Sequence, residues 1–336
     1  MRSRDNTFDL VKAVAMFMVI YWHVMSCRPG FSLPDMPSYA ANFIIPVNMP
    51  LFFVVSGYFA RGLHEDGSHR KLLNRFISYF WPMAVFAAFF TLVDGFVLAK
   101  FAIHELLVRA VKNFLFSSWF FQALAICEII TFYACRFKNA WQRVAVCSLG
   151  YILCLLGAGH VWYVACVPPL ILFYWLGLWI LPKVVFDKRI FFVCGMIGCM
   201  MLVAATFMYG NVATNGLAFY WDRFDIWNPR ITNVVNQISR LIVGAFGSVF
   251  IIWVVKVLSA RFQRLAWFAV LGTETLGIYF LQSWFIRYMS NPFVSLSARS
   301  LVLMISSCIV FGSAFIVVRI LKMNRIVGGI VFGFRI

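Results

Sequence analysis

The sequence predicts an all-α integral membrane protein of about ten transmembrane helices, with both termini cytoplasmic and a single domain over residues 1–336. Three observations predict it. Of 336 residues, 63% are hydrophobic and 12% are charged, whereas soluble domains carry roughly half and a quarter. The apolar residues come in runs of about 20, the length that crosses a hydrocarbon core as a helix. Basic residues are concentrated in every second connecting segment, which orients the chain.

Ten apolar runs have the length of a membrane span. They cover residues 8–26, 41–60, 76–98, 117–135, 143–158, 162–181, 190–209, 238–258, 267–286 and 300–320. The first run follows a basic N-terminus, as the apolar core of a signal peptide does. It lacks a small-residue cleavage site and contains Lys12 and His23, so we interpret it as a helix of the mature protein.

The basic residues orient the spans. The chain has 29 Lys and Arg against 12 acids, an excess that by itself is typical of nucleic-acid binding. With the N-terminus inside, nineteen basic residues lie in cytoplasmic segments, nine lie outside and Lys12 lies in the first span. Short cytoplasmic loops of membrane proteins are enriched in Lys and Arg. The distribution therefore indicates membrane topology, a cell-membrane location and no nucleic-acid partner.

Two predicted outside segments are longer than the others. Residues 99–116 show helical periodicity with basic residues on one side, as in a helix lying at the membrane surface. Residues 210–237 mix aromatic, Asn and charged residues, and they form either a loop that grips a sugar-like ligand or an interfacial cap. The nine Cys show no CxxC spacing, so we expect small core residues and no metal site.

The first span carries ionisable residues, which are costly in lipid and mark functional sites. Lys12 and His23 are eleven positions apart, three helical turns plus about 20°, so they project from one stripe. Asp9 lies one turn before Lys12. Each of the three residues has an alternative role. The Lys12 side chain could extend to the membrane interface. Asp9 could form an ion pair with Lys12 or be a first-turn acid that the helix dipole stabilises, and His23 could be a packing residue.

Four short segments carry a family resemblance. Lys12 and His23 enclose ten residues, PLFFVVSGY occupies residues 50–58, SSWFFQAL surrounds Trp119, and LGTETLGIYFLQ occupies residues 271–282. Together they resemble the membrane-bound acyltransferase family 3, polytopic enzymes that O-acylate cell-surface glycans. The hallmark of that family is an Arg or Lys, ten residues and a His on the first helix. PLFFVVSGY alone also fits any apolar helix with a small-residue packing notch.

Two positions depart from the family pattern. Many members carry two Arg three residues apart at the start of the third helix, and this chain has Arg75 followed by Ser78. The late segment often ends in His, where this chain has Gln282. Donor binding therefore depends more on the remaining cations, and one possible acid or base is absent.

The resemblance implies an acyltransferase that uses acyl-CoA, usually acetyl-CoA, as donor substrate and a glycan or glycolipid as acceptor, with no bound cofactor. An imidazole suits the proton transfer, so we expect His23 to be the general base of a catalytic set with Lys12 and Asp9. An acyl-His intermediate is also chemically possible. The candidate donor-binding residues are basic, hydroxyl or aromatic: Lys12, Arg75, Arg70, Lys71, Ser56 and Trp119. Trp119 alternatively anchors the membrane interface. The resemblance suggests a bacterial cytoplasmic membrane and leaves the oligomeric state open.

Other ionisable residues have two interpretations. Glu128 and Glu274 either line the same cavity or are buried against a Ser, Thr or Trp donor. His64 and His69 lie in the basic stretch GLHEDGSHRK, which predicts a solvated loop in preference to a metal pair.

Two rival functions remain at this point. A transporter or flippase of a glycan or lipid intermediate would use His23 and the spanning acids for proton coupling, although the sequence shows no inverted repeat. A scaffold of envelope synthesis would leave Lys12 and His23 incidental.

Overall fold

A computed structural model describes residues 6–26, 39–98, 103–116, 119–157, 159–208, 229–294 and 300–333. Within these residues every regular element is helical, which confirms the all-α class for this part of the chain. The α-helices are α1 (Asn6–Ser26), α2 (Tyr39–Phe59), α3 (Arg61–Asp66), α4 (His69–Leu98), α5 (Ile103–Phe116), α6 (Trp119–Cys135), α7 (Ala140–Gly157), α8 (Trp162–Trp175), α9 (Leu181–Phe186), α10 (Lys188–Met208), α11 (Pro229–Arg261), α12 (Ala269–Thr273), α13 (Thr275–Val294), α14 (Ser300–Met323) and α15 (Arg325–Phe332). A π-helical turn, Leu176–Ile180, follows α8, and a 3₁₀ turn, Gln263–Phe268, precedes α12.

Eight of these helical stretches are long and apolar enough to cross a membrane, and two bent pairs raise the number to ten if each pair is one span. The two bent pairs contain the predicted fourth and ninth spans. Ile103–Leu115 meets Trp119–Cys135 at 55°, and Gln263–Thr273 meets Thr275–Ile286 at 69°. The chain is a multi-pass membrane protein, and the sidedness of its termini stays a prediction.

The structure describes the two long segments that were predicted to lie outside to different extents. Residues 103–116 of the first form α5, on which Leu107, Val111 and Lys112 are exposed. This confirms the helix, while its position at the membrane surface stays a prediction. Most of the segment 210–237, namely residues 210–228, lies outside the described residues.

The contacts within the chain define two compact units, and the prediction of one domain is not tested by this division. The first comprises Met1–Tyr58 and Phe173–Ala314, and the second comprises Phe59–Leu172 and Phe315–Ile336. In the first, α1 packs against α11, α12 and α13, and α10 packs against α11. In the second, α4 packs against α5, α6 and α15, and α6 also packs against α3 and α7.

Glycines allow backbone-to-backbone packing in the first unit. A Cβ on Gly57 of α2 would lie 2.0 Å from the Tyr174 carbonyl oxygen, and one on Gly177 would lie 1.9 Å from that of Val54. Small residues permit such close approach of membrane helices. The segment PLFFVVSGY therefore contains a small-residue packing notch, in which Gly57 makes the close contact.

A third glycine allows α12 to pack closely against the start of α1. A Cβ on Gly272 of α12 would lie 1.6 Å from the Asp9 carbonyl oxygen, so the LGTETLGIY segment lies directly on α1 beside Asp9. Phe8, the residue before Asp9, stacks on Tyr58 with ring centroids 4.3 Å apart. These contacts hold the turn of α1 that carries the ionisable pair.

In the second unit, helix α15 packs against helix α4. The Trp81 indole N–H of α4 donates to the Ile330 carbonyl at 2.7 Å, and Phe86 contacts Phe332 with centroids 6.1 Å apart. The α15 helix is thereby attached to α4, which also carries Arg70, Lys71 and Arg75.

Candidate functional site

Asp9 and Lys12 form an ion pair in the first unit. Lys12 Nζ lies 2.6 Å from Asp9 Oδ1, with 25% of the Lys12 side chain and 5% of the Asp9 side chain exposed. An unpaired carboxylate at that burial would be strongly unfavourable, so Lys12 stabilises Asp9 in place. The pairing of Asp9 with Lys12, one of the roles considered for it, is confirmed, and its catalytic role stays a prediction.

His23 lies on the same uninterrupted helix. Because α1 continues from Asn6 to Ser26 without a break, the eleven-residue separation places His23 about 16 Å from Lys12 along the axis. The His23 side chain is half-buried. The Ser26 hydroxyl donates to the His23 backbone carbonyl at 3.1 Å, and the role of the imidazole as a base stays a prediction.

Arg75 of α4 forms a second buried ion pair, this one in the second unit. Its Nε lies 2.6 Å from Glu128 Oε1, and the exposed side-chain fraction is 25% for Arg75 and 0% for Glu128. The Tyr79 hydroxyl donates to Glu128 Oε2, and the Tyr79 ring stacks on Phe121 with centroids 5.8 Å apart. The Glu128 carboxylate therefore forms an ion pair through one oxygen and accepts a hydrogen bond through the other.

This cluster changes the interpretation of Glu128. The acid is buried, as one of its two interpretations expected, but its partners are Arg and Tyr in place of the Ser, Thr or Trp of that interpretation. The spacing of Arg75 and Tyr79, four residues apart on one helix, places them on one face. This spacing is the only sequence feature that indicated a shared polar face on α4. The sequence alone does not show that Glu128 packs against that face.

The other basic candidates of α4 are at the surface. Arg70 and Lys71 are exposed, and Lys71 pairs with Asp66. Ser78 lies three residues after Arg75, where the family resemblance led us to expect a second Arg, and its hydroxyl donates to the Arg75 carbonyl at 2.6 Å. Ser78 thus makes a bond within its own helix and supplies no charge.

The prediction of a solvated loop at GLHEDGSHRK is wrong for His64. The stretch folds into α3 and the start of α4, and His64 is 7% exposed while His69 is exposed. Phe132 lies beside both imidazoles, with centroid distances of 6.4 and 5.2 Å. Burial, with the positive charge of Arg75 as the second cause, lowers the pKa of His64 from 6.5 to about 4. The apolar face of α6 explains the difference, because it covers His64.

The remaining candidates are spread over both units. Ser56 is half-buried on α2, immediately before Gly57, and Trp119 is half-buried as the first residue of α6. Glu274 is 5% exposed at the bend between α12 and α13. Gln282 of α13 is 1% exposed, and its side-chain oxygen has no hydrogen-bond partner among the described residues.

The structure brings the candidates together in two clusters. Asp9 and Lys12 meet in the first unit, on the helix that carries His23. Arg75 meets Glu128 in the second, one helical turn beyond Lys71. That all the candidates form a single donor site stays a prediction. Within the described residues no three His, Cys, Asp or Glu side chains are grouped as a metal site requires.

Comparisons with known proteins give one match. A family model described as an acyltransferase domain matches residues 5–320, nearly the whole chain. The comparison with curated proteins and the comparison with solved structures each found no match.

Proposed function

This chain belongs to acyltransferase family 3, and from that membership we propose that it is an O-acyltransferase of the bacterial cytoplasmic membrane. It transfers an acyl group, in our proposal acetyl, from cytoplasmic acyl-CoA to a hydroxyl of an extracytoplasmic glycan or glycolipid. The family membership supports a membrane acyltransferase. The donor, the acceptor and the membrane are the parts that we propose.

One observation supports the assignment of a particular residue, His23, as the catalytic base in this proposal. His23 lies on the same unbroken helix as the buried Asp9–Lys12 pair, at the spacing that the family resemblance implies. A half-buried imidazole in a membrane span is costly unless it serves a cavity or a partner. We propose that it serves the acyl-transfer reaction.

The proposed reaction needs one proton carrier. The His23 imidazole takes the proton of the acceptor hydroxyl while that oxygen attacks the thioester carbonyl carbon. The tetrahedral intermediate then collapses, the C–S bond breaks, and the CoA thiolate leaves. The imidazolium returns its proton to the thiolate, so His23 ends neutral and the products are an O-acyl ester and CoA-SH.

Donor binding in this proposal uses the cations that the positive-inside distribution assigns to the cytoplasmic side. Arg75, Arg70 and Lys71 lie on the first two turns of α4, where they can bind the anionic phosphates of acyl-CoA. Lys12 serves the same end from α1, held by Asp9. Ser56 and Trp119 are proposed to contact the donor closer to the acyl group.

Radiolabelled acetyl transfer tests the proposal. Membranes containing the protein are supplied with acetyl-CoA labelled in the acetyl group, and label in cell-surface material is counted. We expect His23→Ala to lower the rate by a factor of about 100 to 10,000, the usual contribution of a general base. His104→Gln is the matched control, because His104 is an exposed imidazole on α5, and it should keep the wild-type rate. Equal labelling by wild type and His23→Ala would refute the role of His23.

The acceptor is identified by comparing glycans from cells with and without the protein. NMR or mass spectrometry should show an O-acyl signal that disappears with the protein, and the modified sugar then names the acceptor. Identical O-acylation in both cell types would refute the proposed acceptor class.

A further inference from the structure

We propose that Gln282 binds the acyl-CoA donor, and that its side-chain oxygen accepts a hydrogen bond from an amide N–H of the pantetheine arm. This arm is the uncharged chain that joins the nucleotide of CoA to the thioester. The inference rests on the proposed function, since it assigns a task within donor binding. It adds a neutral amide to a site for which the sequence indicated basic, hydroxyl and aromatic side chains.

Gln282 lies in the interior of the first unit, on an apolar stripe of α13. Ile278, Gln282 and Ile286 follow one another at four-residue spacing, and all three side chains are buried. The Gln282 side-chain oxygen has no hydrogen-bond partner among the described residues. A buried polar group without a partner destabilises a fold, whereas an apolar side chain of similar size would not. Stability therefore gives no reason for an amide at this position.

The helix that carries Gln282 cannot satisfy its oxygen. Buried hydroxyls of the same unit donate to carbonyls of their own helices, Ser248 to Gly244 and Ser307 to Leu303, each at 2.6 Å. An amide oxygen only accepts hydrogen bonds, and the backbone N–H groups inside a helix already donate to carbonyls four residues earlier. The donor for Gln282 must therefore come from outside α13, and we assign it to the ligand.

The position of Gln282 along the fold indicates which part of the donor it meets. Both α12 and α13 pack against α1, and Gly272 of α12 lies on the Asp9 carbonyl. Gln282 is ten residues beyond Gly272, at most about 15 Å of helix, and His23 is fourteen residues beyond Asp9, about 21 Å. Only three residues of α1 precede Asp9, so the α1 surface open to α13 belongs almost entirely to the part that carries Lys12 and His23. We therefore place Gln282 between the levels of those two residues.

The chemistry of the donor fits an acceptor at this level. In the proposed reaction Lys12 serves the phosphates and His23 serves the thioester, so the pantetheine arm lies between them. Its amide N–H groups leave water when the arm enters between the helices, and each of them costs free energy unless it meets an acceptor. Gln282 supplies such an acceptor. A neutral amide suits this task, because a carboxylate would be far more costly to bury.

A binding experiment tests the contact. The full-length protein in detergent is titrated with radiolabelled acetyl-CoA, which gives a Kd and the fraction of protein that binds. Gln282→Met and Gln282→Leu both remove the oxygen but differ in shape, so a loss that they share reports the missing hydrogen bond. We expect each to raise the Kd about tenfold, near the upper end of what a hydrogen bond between neutral groups contributes. The binding fraction and the melting temperature should not fall.

Ser307→Ala is the matched control for these variants. It also removes a buried polar group of the first unit, but the hydroxyl of Ser307 is already bound within α14. We expect this variant to keep the wild-type Kd for acetyl-CoA.

Fragments of the donor locate the contact on the pantetheine arm. CoA carries the arm without the acetyl group, and adenosine 3′,5′-bisphosphate carries phosphates without the arm. When each is used to displace the label, the Gln282 variants should weaken CoA about tenfold and leave the bisphosphate unchanged. An equal loss for the bisphosphate would overturn the assignment to the arm.

Labelled acetyl transfer in membranes gives a second measurement. A contact that is the same before and during the reaction changes KM and leaves kcat unchanged. We therefore expect the Gln282 variants to transfer acetyl about tenfold more slowly at low acetyl-CoA and at the wild-type rate when acetyl-CoA is saturating.

The possible failures differ from one another. If the Gln282 variants bind acetyl-CoA as the wild type does but transfer it slowly at saturation, the amide meets a hydroxyl of the acceptor and the inference is overturned. If they lose binding fraction or melt lower, Gln282 is a structural residue and the inference is overturned while the proposed function stands. If the wild-type protein does not bind acetyl-CoA, the proposed donor is wrong and the inference is overturned with it.

Discussion

Replacing Gly272 by Ala should separate α1 from α12 and damage both stability and activity. The added Cβ would lie 1.6 Å from the Asp9 carbonyl oxygen and 2.4 Å from its carbonyl carbon. A close C···O contact is about 3.3 Å, so the two helices must move apart by about 1.7 Å. Both obstructing atoms belong to backbone, which cannot rotate away as a side chain can.

The expected magnitude follows from overpacking. Inserting a methyl group into a packed core costs about 1–3 kcal/mol, and contact with backbone favours the upper end. A loss of about 3 kcal/mol corresponds to a melting temperature lower by about 5 °C or more. Since Asp9 and Lys12 move with α1, we also expect acetyl transfer to fall on the order of 100-fold, the cost of a misplacement near 1 Å.

Thermal unfolding in detergent, followed by tryptophan fluorescence, measures the first effect, and labelled acetyl transfer measures the second. Gly312→Ala is the matched control, because a Cβ at Gly312 of α14 meets no atom within 4 Å. Ala in an open helical position is favoured over Gly by roughly 0.5–1 kcal/mol, so this variant should melt at or above wild type. Equal melting and equal transfer of the two variants would refute the packing argument.

Three further predictions concern buried polar groups. Arg75→Met should cost about 3–5 kcal/mol because it leaves the buried Glu128 carboxylate without its cation, whereas Arg75→Met with Glu128→Met and Tyr79→Phe, which also removes the hydroxyl that donates to Glu128, should be close to neutral; a melting curve of the triple variant as low as that of the single one would contradict this. The pKa of His64 is lowered to about 4, so the unfolded chain binds the proton more readily. Stability should therefore fall by about 3 kcal/mol as the pH drops from 6.5 to 4, and His64→Gln should flatten that part of the stability curve; an unchanged curve refutes the burial argument. Gln282→Leu removes a buried oxygen that has no partner among the described residues, so its melting temperature should be unchanged or higher, and a clear decrease would show that the amide stabilises the fold.

The sequence was most informative where a rule of lipid solvation applies residue by residue. Apolar run length located the spans because a helix needs about 20 apolar residues to cross the hydrocarbon. The positions of Lys12 and His23 on α1 followed from helical spacing alone, because no break interrupts that helix. For Asp9, one turn away, helical spacing predicted either pairing with Lys12 or a favourable position in the helix dipole, and the structure shows the pair with Lys12.

The sequence was least informative where a partner comes from a distant part of the chain. Arg75 and Glu128 are 53 positions apart, and nothing in either span indicates that the two faces meet. His64 lies among polar neighbours, which predicts exposure, but α6 covers it. Hydropathy did not predict the bends at the fourth and ninth predicted spans. A hydropathy average over a sequence window reports how apolar the residues are, but it does not report the direction of the helix axis.

The sequence by itself therefore determined the membrane class, the approximate spans, the family and the stripe of α1 that carries Asp9, Lys12 and His23. These depend on local composition and on the regular geometry of a single helix. Only the tertiary structure decided that Gly272 packs directly on Asp9 and that Glu128 and Tyr79 hold Arg75. Packing and buried charge pairing depend on which helices are neighbours, and that is set by the free energy of the whole fold.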